Sequence, residues 1–102
     1  MIKQMGVLVI AATMVTLPLS ASADEALAKS KACLACHQVQ KKVVGPAFKD
    51  VAAKYKGQPG AAAMLAGKVK NGTKGTWGVV PMPAQNVTEE EAKKLVAWVL
   101  SL

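Results

Sequence analysis

The residues best equipped for chemistry sit together in Cys33-Leu34-Ala35-Cys36-His37. Two thiols three residues apart can each add to a vinyl group of one haem, forming thioethers. The residue that follows is then fixed beside the porphyrin, where an imidazole nitrogen reaches the iron; C-x-x-C-H is the signature of this attachment. Two other chemistries compete for the same residues. A structural zinc site takes four ligands, mostly Cys and His, but these are the only Cys and His in the chain. A carboxylate would have to be the fourth ligand, and adjacent Cys-His is awkward for tetrahedral closure. A thiol oxidoreductase sets C-x-x-C in a βαβ frame, and no alternating strand pattern accompanies the motif. The residues favour covalent haem.

The opposite face of such an iron needs a ligand or stays open. Beyond the N-terminal segment only Met64 and Met82 offer a thioether. Met64 lies at helical spacing with Leu65 and Val69, where methionine usually fills a core. Met82 lies in Val80-Pro81-Met82-Pro83. Prolines on both sides restrict the backbone, so the sulfur is presented with little ordering cost. Met82 is the favoured distal ligand.

Four helices are expected to position these groups. Residues 24–35 read as a helix leading into the cysteines, with Asp24 and Glu25 suited to its positive end. Gly45-Pro46 opens a second, with proline at the first helical position and Phe48, Val51, Ala52 and Tyr55 at i, i+3, i+4 and i+7. Gly57 is placed to stop it. A third covers residues 61–70, with Met64, Leu65, Lys68 and Val69 on one side and Asn71-Gly72 at its end. The fourth begins at a capping box, Thr88 with Glu91, and carries the stripe Ala92, Leu95, Val96 and Val99. Residues 71–87 form a long loop holding Trp77 and Met82. Long loops in small domains are functional or disordered, and the tryptophan indicates an ordered one packed against something. The fold class is all-α, without repeats or a second domain.

The first residues stand apart. Lys3, an uncharged stretch over residues 5–19, and small residues at Ala21 and Ala23 read as a secretory signal peptide, residues 1–23, cleaved after Ala23. The stretch is too short and too interrupted, by Thr13, Thr16 and Pro18, for a good membrane span. Residues 24–102 then form one domain. Chains this short often need a cofactor to complete a core, and the aromatics number only four: Phe48, Tyr55, Trp77 and Trp98. All basic charge is lysine, and the chain carries a net +7. Such a charge is a solubility feature or a field that draws acidic partners. Nucleic acid is an unsuitable partner: the chain is exported, and no basic helix interleaved with stacking aromatics appears.

Several ordered motifs together resemble a known family: Cys33-Leu34-Ala35-Cys36-His37, Val44-Gly45-Pro46-Ala47-Phe48-Lys49-Asp50-Val51-Ala52, Lys70-Asn71-Gly72, Gly75-Thr76-Trp77-Gly78, Pro81-Met82-Pro83 and Ala97-Trp98-Val99-Leu100. The chain resembles the small bacterial class I cytochromes c of the c-551/c-552 type over nearly all of residues 24–102. The resemblance implies four or five helices around one covalently bound haem c, with the first and last helices crossing. It implies His37 and Met82 as axial ligands and the Pro46 carbonyl as acceptor for the other imidazole nitrogen. It also implies Trp77 at a haem propionate, Lys68 where relatives often have an arginine serving that propionate, and Gln85 near the methionine sulfur. Relatives often have an aromatic residue and a glycine where this chain has Ala28 and Ala32, so looser N-terminal packing is expected. The expected function is that of a monomeric periplasmic one-electron carrier rather than an enzyme. It would run between a membrane cytochrome complex and a terminal reductase or oxidase, with Lys31, Lys41 and Lys42 docking acidic partner surfaces.

Overall fold

The computed structural model describes residues 6, 8–13 and 19–102. Within the predicted leader, residues 1–5, 7 and 14–18 lie outside the described residues. No helix among those described is long and apolar enough to cross a membrane.

Among the described residues, four α-helices and one 3-10 turn make up the regular structure: α1 Leu19–Ser30, the turn Cys33–Ala35, α2 Phe48–Tyr55, α3 Ala61–Asn71 and α4 Glu89–Leu100. No strand occurs among the described residues; Thr73 with Met82 and His37 with Lys42 form isolated bridges.

Helix α4 organises the rest, packing against α1, α2 and α3. Its start is chemically specified. The Thr88 hydroxyl accepts the Glu91 N–H at 3.1 Å, and the Glu91 carboxylate accepts the Thr88 N–H at 2.9 Å, so two otherwise orphaned donors are satisfied. Ala92, Leu95, Val96 and Val99 are buried as the spacing predicts, and Trp98 joins them. Phe48 of α2 meets Trp98 edge-on, with ring centroids 5.5 Å apart.

Two predicted boundaries are corrected. The first helix does not run through residue 35: α1 ends at Ser30, and Ala32 turns left-handed at φ 60° and ψ 21° before the 3-10 turn. That residue reverses the chain, so the cysteines fall outside the helix. At its other end α1 extends back to Leu19, because alanine and leucine sustain a helix well. The second helix does not include Pro46. Ala47 is the extended cap residue (φ −58°, ψ 138°) and Phe48 the first helical one. Proline restricts the residue before it, not its own carbonyl, and that carbonyl is turned to another use described below.

Helix α3 departs from its predicted stripe at Met64. Ala61 and Ala66 are its buried residues, whereas Met64, expected in the core, is 41 % exposed. Leu65 and Val69, partly buried, pack against the core as the stripe predicts and also line a cavity, which Lys68 borders. Gly72, at φ +84°, follows α3 where a Cβ would lie 2.8 Å from the Met82 carbonyl oxygen and 2.9 Å from the Ala84 nitrogen. Only glycine lets the two chain segments approach this closely.

Candidate functional site

A cavity of about 540 Å³ opens between α2, α3, α4 and the loop after α3. Its walls are mostly apolar, and no large side chain of the described residues is completely buried. The helices therefore enclose a space that their own side chains do not fill.

Cys33, Cys36 and His37 lie on one wall. The 3-10 turn brings them there: His37 N–H bonds the Cys33 carbonyl at 3.0 Å, and Gly45 N–H bonds the Cys36 carbonyl at 2.7 Å. His37 is buried, and its Nδ1 lies 2.7 Å from the Pro46 carbonyl oxygen. A carbonyl only accepts, so Nδ1 carries the proton and Nε2 keeps a free lone pair. The imidazole stacks on Phe48, centroids 4.8 Å apart and 18° from parallel. Gly45 also lies close against it: a Cβ there would stand 2.5 Å from the ring's Cε1. Carbonyl, aromatic face and glycine together fix the ring's plane and tautomer.

The cysteines are not joined in a disulfide; Cys33 is half-buried and Cys36 exposed. Desolvation pushes the Cys33 thiol above its ordinary pKa, against a smaller lowering by a backbone hydrogen bond. An activated redox thiol needs the opposite shift, and the strand frame of a thiol oxidoreductase is missing among the described residues. The two thiols and the imidazole also do not converge as a metal-binding cluster. They are arranged along a cavity wall, with the thiols at its edge.

The loop supplies the facing wall. Thr73 and Met82 exchange backbone hydrogen bonds at 2.9 and 2.8 Å, which closes the loop and fixes the backbone that carries the Met82 thioether. Met82 lines the cavity and Met64 does not. Trp77 lines it while staying 38 % exposed. Lys68, reaching from α3, donates to the Thr76 hydroxyl at 3.3 Å. Gln85 anchors the end of the loop through its backbone N–H to Val69, and its side-chain amide donates to the Pro83 carbonyl at 2.7 Å.

One predicted docking lysine is otherwise engaged: Lys31 pairs with Glu91 at 3.5 Å. Lys41 is exposed and Lys42 lines the cavity. Sequence reasoning missed Gly45, Phe48 and Thr76 as site residues. Gly45 and Phe48 were visible in the Gly-Pro motif and helical stripe, but their contact with His37 depends on how the chain turns between them.

These residues fit a haem. The walls are apolar, two thiols stand at the edge, and an imidazole and a thioether both reach the interior. The ionic side chains in the lining are Lys42, Lys68 and Lys74, with no carboxylate among them, which suits a macrocycle bearing anionic propionates.

An all-α shell of this order around a C-x-x-C-H cavity is the class I cytochrome c fold, and known proteins place the chain more closely. A profile of the cytochrome c family matches residues 23–102. Cytochrome c-551 of Ectopseudomonas mendocina is 62 % identical over 81 residues, covering 79 % of this chain and 99 % of that protein. Cytochrome c-552 of Hydrogenobacter thermophilus is 58 % identical over 80 residues, covering 78 % and 82 %. The crystal structure of wild-type Nitrosomonas europaea cytochrome c552 superposes with a TM-score of 0.74 at 54 % identity, covering 76 % of this chain and 98 % of that one. The chain belongs to the cytochrome c family, as a class I member of the c-551/c-552 type. It accordingly binds one haem c covalently and is an electron carrier.

Proposed function

We propose that the chain is a periplasmic electron shuttle in which Cys33 and Cys36 hold the haem and His37 and Met82 are its axial ligands. The observation that carries this is the 2.7 Å contact between His37 Nδ1 and the Pro46 carbonyl. It commits one imidazole nitrogen as a donor and leaves the other as a ligand of fixed orientation. Haem bound there supplies a one-electron ferric/ferrous couple. Met82 is the thioether available to the opposite face, and His/Met ligation favours ferrous iron and raises the potential. With both axial positions taken by side chains, the protein moves electrons and transforms no substrate.

Trp77 and Lys68 hold the propionate end, Lys68 sharing its ammonium with Thr76. Gln85, bonded to Pro83, braces the Met82 loop. The mature protein starts at Asp24, after the small residues Ala21 and Ala23, and it works as a soluble monomer outside the inner membrane. Its donor is a membrane cytochrome complex and its acceptor a terminal reductase or oxidase, each met through an acidic surface. Lys41 and Lys42 beside the haem motif, and the exposed Val43 and Val44, form the docking face.

Absorption spectroscopy of purified holoprotein tests the ligand assignment. Wild type should show sharp low-spin bands on reduction and a weak near-infrared sulfur-to-iron band when oxidised. Met82→Ala should abolish that band and lower the potential, while Met64→Leu keeps both. A high-spin wild type, or loss of the band in Met64→Leu alone, refutes the assignment.

A further inference from the structure

We propose that Lys54 is a positioning residue that latches the loop wall of the haem cavity by placing its ammonium on the face of Trp77. Between Thr73 and Met82 the loop leaves the body of the protein, and residues 74–81 make no backbone hydrogen bond among the described residues. Val79 and Val80 in this excursion are 95 % and 62 % exposed. Its wall is tied back to the helices by two lysines. Lys68 of α3 bonds Thr76, and Lys54 of α2 stands 4.9 Å from the Trp77 ring centroid.

The Lys54 contact has the geometry of a cation–π interaction, which extends to about 6 Å from the centroid. The ammonium is itself held, 5.6 Å from the ring of Tyr55, and Tyr55 is buried in α2. A fixed ring, a charge and a loop ring thus lie in sequence, joining α2 to the cavity wall. Lys54 forms no salt bridge among the described residues, so no carboxylate competes for it. Because adjacent residues Thr76 and Trp77 are gripped from two different helices, the wall is held against rotation as well as translation. Lys54 thereby sets how often the wall opens and water reaches the haem beside Trp77.

The proposal rests on the reading that this cavity holds the haem, and the reduced absorption spectrum of each sample checks that separately. Hydrogen exchange of the Trp77 indole N–H, followed by NMR in the ferrous holoprotein, reads the latch. Lys54→Met keeps the aliphatic stem and removes the charge. A cation–π contact at an exposed site corresponds to exchange about two- to five-fold faster once it is lost. Lys54→Arg should restore the wild-type rate. Lys49→Met, which removes the same charge elsewhere on α2, should leave it unchanged. Unaltered exchange in Lys54→Met, exchange in Lys54→Arg as fast as in Lys54→Met, or equal acceleration by Lys49→Met would overturn the proposal.

Discussion

Ala32 holds a conformation that suits its neighbours better than itself. At φ 60° its Cβ crowds the following carbonyl, which costs roughly 1–2 kcal/mol for a residue that is not glycine. Glycine there would be free of that strain but would bring about 0.4–1 kcal/mol of extra unfolded-state entropy. The strain is the larger quantity, so Ala32→Gly should stabilise the holoprotein by about 0.5–1 kcal/mol. Thermal or denaturant unfolding checks this, and an unchanged or lowered midpoint would refute it. The absence of glycine before the first cysteine was readable in the sequence as a departure. Its expected consequence is looser N-terminal packing; Ala28 itself is fully buried in the core. The cost is in the backbone, which a residue string does not show. The same holds for Gly45 and Lys54: their types were plain, but their roles depend on a ring placed by residues far along the chain.

Among the elements, legibility followed how local the determining interactions are. The start of α4 was fully specified by Thr88 and Glu91, whose two hydrogen bonds lie within one turn, and the stop of α2 near Gly57 was equally local. Pro46 misled because a helical preference was outweighed by its carbonyl's contact with His37, nine residues away. On α3 Leu65 and Val69 pack against the core as read, and Met64 alone misled, because its place beside Leu65 in the sequence does not tell a buried position from an exposed one. At the α1–α4 crossing Glu91 serves two purposes, completing the cap and facing Lys31 across the junction. The Thr88 backbone N–H first, and then the Lys31 ammonium, hold its carboxyl below the usual glutamate range. A carboxyl whose folded pKa is depressed contributes stability above its unfolded value, about 4.3, and loses it as pH falls through the lower folded value. Glu91→Gln should therefore be less stable than wild type near neutrality, and the gap should close as pH drops below about 4. Denaturation midpoints of both proteins across that range measure it. A gap that stays constant with pH would mean that the cap geometry alone, and not the charge, sets the contribution of this residue.

At the scale of the whole molecule, the lysine excess must be read with its distribution. Lys31 is paired with Glu91 and Lys93 with Glu89, the latter at 3.6 Å. Lys41, by contrast, stands exposed on the segment after the haem motif, and Lys42 borders the cavity itself. Val43 and Val44 are exposed on the same segment, so an apolar strip adjoins the charges. Electron transfer between proteins needs an encounter that forms quickly and dissociates quickly. Opposite charge raises the encounter rate without demanding a large apolar interface. If the positive field steers docking, its reach follows the Debye length, about 30 Å at 0.01 M salt and about 10 Å at 0.1 M. Second-order transfer rates with an acidic redox partner should therefore fall steeply across that range. Charge reversal at Lys41 or Lys42 should slow transfer more than reversal at Lys93 or Lys94, because the last two lie on α4 and outside the cavity lining. Stopped-flow rates for the four single variants at both salt concentrations decide it. Equal penalties at all four positions would show a net-charge effect without a docking face. Rates indifferent to salt would instead assign docking to the valines, and the lysines would then serve solubility.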